Sequence, residues 1–257
     1  LLAWRWQLLC AALSGQAPRF AIFLFAFGRS LLVGQLLPST VGTDAVRALA
    51  LIRVIGATGA IRSVICDRLL GLFALTLLVD AELPIFAQNA ASSTAIFSLA
   101  FVSLMVGGGF MAIMGFRRWL PQIPLIGRYT AVVASDLWHV LFRPNGRIAF
   151  GLGFIAHLTS ALIFVALVRS VDAEISPIFS GLVILPALLV IAVPISLGGW
   201  GIREAVIASG FTLLGSDPVP AVTASILFGL SGPMGGAAVE LLALITQANG
   251  IIRDRAS

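Results

Sequence analysis

Several ionised side chains in this sequence stand where hydrocarbon is expected. Arg29, Asp44, Arg47, Asp67, Arg68, Arg203, Glu204 and Glu240 all lie within or beside apolar runs. A charge near the centre of a bilayer costs about 3 kcal/mol on insertion scales, so such residues pair with one another or mark a polar pathway. Four are basic and four acidic, which points to mutual pairing. Asp67-Arg68 and Arg203-Glu204 are adjacent opposite charges at helix entries, and Arg29 and Glu240 are the deepest by position.

Two of these arginines close a recurring pattern. The ten residues from Pro38 to Arg47, with Ser39, Gly42 and Asp44 among them, are matched 156 residues later by Pro194 to Arg203, with Ser196, Gly198, Gly199 and Gly201 among them. Both read Pro, any, Ser/Thr, Val/Leu, Gly, Thr/Gly, any, small, Val/Ile, Arg, and Glu204 follows the second. Proline stops an incoming helix, because it lacks a donor and clashes with the preceding turn. Glycine permits the unwound backbone that follows. Serine caps the next helix and leaves its first amides exposed. Exposed amides, a positive dipole end and an arginine together suit a phosphate or carboxylate. The expected anion site is therefore Arg47, Arg203, Asp44, Glu204, Ser39, Ser196, Gly42, Gly198, Gly199 and Gly201, with Arg29, Asp67, Arg68 and Glu240 as supporting charges. The competing readings are that the pairs only fix helix register, and that both Pro-Gly breaks are surface loops.

The other chemistries have little to stand on. There is no Ser/His/Asp order, no metal-ligand spacing and no phosphate loop, so neither a cofactor nor a metal is expected. A membrane-embedded transferase with Asp67 or Glu240 as base lacks a second polar cluster for its donor. His157, midway in an apolar run, reads as a buried hydrogen-bonded histidine. Cys10 and Cys66 read as buried thiols rather than a disulfide.

The elements that must carry these residues are membrane helices. Of 257 residues, 59% are hydrophobic and 11% charged, with mean hydropathy +1.06, whereas soluble domains run near 25% charged. Leu83–Phe116, Ile175–Ile202 and Pro218–Val239 carry no charge, and about 20 apolar residues cross a bilayer. The expectation is an all-α polytopic transmembrane bundle, one membrane domain over 1–257. The two broken-helix motifs, at 36–57 and 192–214, would form an internal inverted repeat, as in many secondary transporters. All 16 basic residues are Arg, and their placement in loops and helices argues against nucleic acid as partner.

Long spans are expected at Phe20–Leu36, Arg62–Val79, Thr94–Gly115, Ile148–Val168, Ile175–Val193 and Val219–Thr246, the last broken at Ser231-Gly232-Pro233. Asp80 and Glu82 close the second. Short pieces lie at Ala45–Ala57 and Ile202–Leu214, and they either cross or re-enter. Trp4, Arg5 and Trp6 read as an interfacial belt, and Tyr129–Phe142 as an interfacial helix. Five arginines against one aspartate put the Arg117–Arg147 connection in the cytoplasm. The chain opens at Leu1 inside an apolar run, so one or two upstream helices are expected.

The segments Leu36–Arg47, Cys66–Gly71 and Pro194–Glu204 resemble the flippase-like, lysylphosphatidylglycerol synthase transmembrane-region family of bacteria and archaea. The run Gly198 to Glu204 is the most specific part. Where the family usually shows Gly-Gly-Asp, this chain has Gly42-Thr43-Asp44. The resemblance implies lipid handling in the bacterial inner membrane, by moving an anionic lipid headgroup between leaflets. The soluble aminoacylating domain of bifunctional members has no counterpart here, so no enzymatic role carries over. The alternative is a non-transporting scaffold subunit for a lipid-modifying, lipid-linked glycan or hopanoid enzyme.

Overall fold

The structure, a computed structural model, describes the chain apart from residues 16–17, 35–38, 90–91, 123–126, 173, 193–199 and 257, and apart from the side chains at 39–41, 95 and 247–256. It is all-α: α1 (Leu2–Ser14), α2 (Phe20–Val33), α3 (Ser39–Asn89), α4 (Ser93–Gly115), α5 (Gly127–Phe142), α6 (Pro144–Val171), α7 (Pro177–Ile191), α8 (Ile202–Leu213) and α9 (Pro218–Ala256).

Among the described residues, four helices are long and apolar enough to cross a bilayer, over Gly42–Asn89, Ile96–Gly115, Pro144–Val171 and Pro218–Thr246. Phe20–Val33 and Pro177–Ile191 are apolar but shorter. At 1.5 Å per residue, their 14 and 15 residues reach only about 21–23 Å, less than a core of roughly 30 Å. The helix α7 is central: Leu182, Val183, Ile184, Leu185, Ala187 and Leu189 are all buried. By contrast Phe97, Phe101, Leu104 and Met111 of α4 are 60–74% exposed. In a bilayer such a surface faces lipid at no cost.

Three boundaries differ from expectation. The gap expected between Ala57 and Arg62 is a single-residue kink at Gly56, with φ 75° and ψ 162°. Only glycine adopts that backbone readily, and helix continues on either side, so α3 has two limbs, 39–55 and 57–89. Asp80 and Glu82 do not end the helix, which runs to Asn89, because carboxylates mark the end of apolar surface without breaking hydrogen bonds. The run Ser231-Gly232-Pro233 does not break α9. Pro233 leaves the carbonyl of Gly229 without its amide partner, and the Arg203 guanidinium packs directly against Gly229.

The start of the chain corrects a further expectation. Arg5 and Trp6 are no interfacial belt: they are 8% and 0% exposed, while Trp4 alone faces outward at 45%. The Trp6 ring meets Phe23 edge-on at 5.0 Å, and its indole N–H donates to Ser63 Oγ at 3.1 Å. Cys10 and Cys66 are buried free thiols. The helix α5 is fastened to α3 by the Arg62–Asp136 ion pair.

Candidate functional site

Asp67 lies on the second limb of α3 and is 1% exposed. A carboxylate so placed needs cations, and two reach it from different elements. Arg5 Nε on α1 donates to its Oδ1 at 2.8 Å, and Arg47 Nη2 on the first limb of α3 donates to Oδ2 at 2.6 Å. Arg5 Nη2 also reaches the Asp67 carbonyl at 3.4 Å.

The chain of charges continues. Arg47 Nη1 approaches Asp44 Oδ1 at 3.5 Å, and Arg68 Nε donates to Asp44 Oδ2 at 2.5 Å. The order is Arg5, Asp67, Arg47, Asp44, Arg68, with the sign alternating at each step. Three guanidiniums against two carboxylates leave one net positive charge. The ladder spans the Gly56 kink, because Asp44 and Arg47 precede it and Asp67 and Arg68 follow it.

The surroundings explain how such charge persists. The Arg47 guanidinium carbon lies 4.4 Å from the Trp6 ring centroid and 5.0 Å from that of Phe27, a cation–π setting. Its Nε is buried without a hydrogen-bond partner among the described residues. Arg5 rests against Gly71 and Gly153, where any side chain would crowd its guanidinium. His157 Nε2 bonds to the Gly71 carbonyl at 3.0 Å, which assigns its proton to that nitrogen.

All five members of the ladder, with His157, line a cavity of about 310 Å³. They are unequal within it. The side chains of Arg5, Arg47 and Asp67 are at most 9% exposed, whereas Arg68 is 29% and Asp44 18%. Beyond Asp44, no acceptor among the described residues takes the Nη groups of Arg68.

Arg203 and Glu204 form a separate cluster and do not line that cavity. Gly201, with φ 83°, precedes α8, and its N–H donates to Glu204 Oε2 at 2.6 Å. Glu204 Oε1 accepts from Arg203 Nη2 at 2.6 Å and from Ser225 Oγ at 3.0 Å. Arg203 Nε also donates to Ser225 Oγ at 2.9 Å. The carboxylate at the start of α8 is thus the protein's own. Arg203 also lies 5.0 Å from the Trp200 ring centroid.

The remaining expected residues are scattered. Arg29 and Glu240 pair at 3.2 Å between α2 and α9, with Arg29 60% exposed. Gly42 is buried in the first limb of α3. Ser39 begins α3, its side chain outside the described residues, as are Ser196, Gly198 and Gly199 entirely. Among the described residues the two copies of the motif also differ locally: Arg47 lies well inside a helix that begins at Ser39, whereas Arg203 is the second residue of α8, which begins at Ile202 after a turn at Trp200 and Gly201. Arg5 was missed. Its signal was an arginine in mid-helix at Leu2, Trp6 and Leu9 spacing, facing an Asp67 that had no distant cation assigned.

Apolar helices of bilayer length enclosing a charged, partly open chamber define a multi-pass helical membrane protein with an internal polar site. Residues 1–232 match the family model described as the lysylphosphatidylglycerol synthase TM region, and the chain belongs to that family. The family is that of a transmembrane region and relates the chain to lipid handling. No curated protein and no solved structure matches the chain.

Proposed function

We propose that this protein is a lipid flippase of the bacterial inner membrane that binds an anionic headgroup and catalyses no covalent chemistry. The observation that carries the reading is the surplus positive charge of the Arg5–Asp67–Arg47–Asp44–Arg68 ladder, lining a cavity within an apolar bundle. Arg68 is the docking cation. It is the most exposed member, and its Nη edge is available for a phosphodiester, which a guanidinium grips bidentately. Arg47 supports the same charge from a buried position, and Asp44 orients Arg68 until a phosphate competes for it. Arg203 and Glu204 hold the start of α8 and complete the second half of the bundle.

Proteoliposomes carrying fluorescent phosphatidylglycerol test this. Wild-type protein is expected to expose inner-leaflet lipid to an external quencher. Arg68→Gln removes a charge-assisted bidentate contact worth about 1.5–3 kcal/mol, so transport should fall roughly tenfold to a hundredfold. Wild-type protein that moves no lipid would leave the scaffold-subunit reading in its place.

A further inference from the structure

The charged cavity adjoins a second one. Leu2, Ala156 and Ser160 line both it and a neighbouring cavity of about 370 Å³ between α1, α2, α6 and α9. The walls of the second chamber are apolar, with Leu24, Leu31 and Val239 among them. Its two hydroxyls are turned back on their own helix. Thr159 Oγ1 donates to the Ile155 carbonyl at 2.7 Å and Ser160 Oγ to the Ala156 carbonyl at 3.1 Å. Neither proton is left to hold water.

Phe27 joins the two chambers chemically. It lines the apolar one, and its ring lies 5.0 Å from the Arg47 guanidinium. Glycines supply the space. A Cβ at Gly236 would meet the Gly28 carbonyl and Leu31, so α2 and α9 approach closely there, whereas a Cβ at Gly235 would meet nothing within 4 Å. Gly235 therefore opens the chamber instead of packing it.

We infer that the two chambers are one amphipathic site for a single phosphodiester lipid, the headgroup at Arg68 and Arg47 and one acyl chain between α2, α6 and α9. This inference rests on the headgroup reading above. Left empty, an apolar recess of this size forfeits dispersion contacts along its lining, and water, which needs two to four polar partners, would find at Thr159 and Ser160 only the acceptor side of hydroxyls that already donate to their own helix. A chain threaded past Leu2, Ala156 and Ser160 satisfies both chambers at once. The neck sets the glycerol backbone beside Ser160, so selectivity for the tail arises next to selectivity for the charge.

Photolabelling of the full chain in nanodiscs tests the site. The probe is phosphatidylglycerol bearing a diazirine on one acyl chain; the control is phosphatidylcholine with the same chain. Binding of tail-less glycerophosphoglycerol is measured separately by calorimetry. Labelling is expected on Leu31, Thr159 and Gly235, stronger for the anionic probe and reduced by excess glycerophosphoglycerol. Gly235→Leu fills the chamber without a clash at Cβ and should cut labelling there roughly fourfold for each methylene contact displaced, while glycerophosphoglycerol still binds. Ala156→Leu, at the neck that both chambers share, should cut labelling as well. Labelling confined to outward residues such as Phe97 and Leu104 of α4, with glycerophosphoglycerol still bound through Arg68, would overturn the tail chamber and spare the headgroup site. Failure of glycerophosphoglycerol to bind, with equal labelling by both lipids, would overturn both.

Discussion

Asp67 and Arg68 are adjacent in sequence and opposite in consequence. Asp67 is buried between two buried arginines; its removal strands Arg5 and leaves Arg47 only the longer 3.5 Å contact to Asp44. Breaking a buried pair costs about 3–5 kcal/mol, so Asp67→Asn is expected to lower thermal stability in detergent by that order. Adding Arg5→Gln should restore part of the loss. Arg68 is 29% exposed and among the described residues pairs with the partly exposed Asp44 alone, a kind of contact worth about 0–1 kcal/mol. Arg68→Gln should therefore express and melt almost as wild type while losing transport. Strong destabilisation of Arg68→Gln would make Arg68 a strut and remove it from the site. The pairing could not be read from neighbours in sequence: Asp67 and Arg68 point to different partners, 62, 24 and 20 residues away. On a helix, successive residues do not face each other.

At the scale of the element, the decisive feature is the kink in α3. The limbs on either side of Gly56 bring Asp44 and Arg47 back against Asp67 and Arg68. A straight helix would carry the two pairs apart by about 1.5 Å per intervening residue. A Cβ at Gly56 would meet no neighbouring atom, so Gly56→Ala acts on backbone conformation alone. Holding alanine at φ 75° and ψ 162° costs about 1–3 kcal/mol. The expected result is a matching drop in unfolding free energy with loss of lipid transport; a variant with wild-type melting and transport would show that the ladder forms without the kink. The sequence contained Gly56 and Gly59 near the expected junction, but glycine is also common in packed membrane helices. Composition alone did not say whether they made a loop or a one-residue bend.

For the whole molecule, the charge rule orients the bundle. The Arg117–Arg147 connection carries five arginines and one aspartate, and Arg253 and Arg255 lie near the C-terminus. Both are expected in the cytoplasm; α8, with 12 residues, reaches only about 18 Å, so the inverted arrangement of the two halves holds only if the short segments cross together with their neighbours. A C-terminal alkaline phosphatase fusion should be inactive in cells and a fluorescent protein fusion bright. An active phosphatase would overturn that orientation of the C-terminus. The exposed aromatic residues around α5, among them Trp119, Tyr129 and Phe142, fit a helix at the same headgroup level.

Much was legible in the residues themselves. Long uncharged runs determine membrane helices, because within a single segment only a helix satisfies every backbone group in hydrocarbon, and among the described residues α2 and α4 to α9 begin within a few residues of where hydropathy and turn residues placed them. The need for charge pairing was equally legible, since an ion in an apolar helix must be compensated. Which charges meet was not. Arg5 joins a ladder whose other members lie on α3, and its arrival turns an even balance of charges into a surplus of one. The sequence also grouped Arg203 with Arg47, but the fold turns Arg203 onto Glu204 and Ser225 and leaves it outside the cavity. Hydropathy is a property of each segment alone, whereas the net charge of a cavity depends on which helix faces are packed together. Only the tertiary structure decides that.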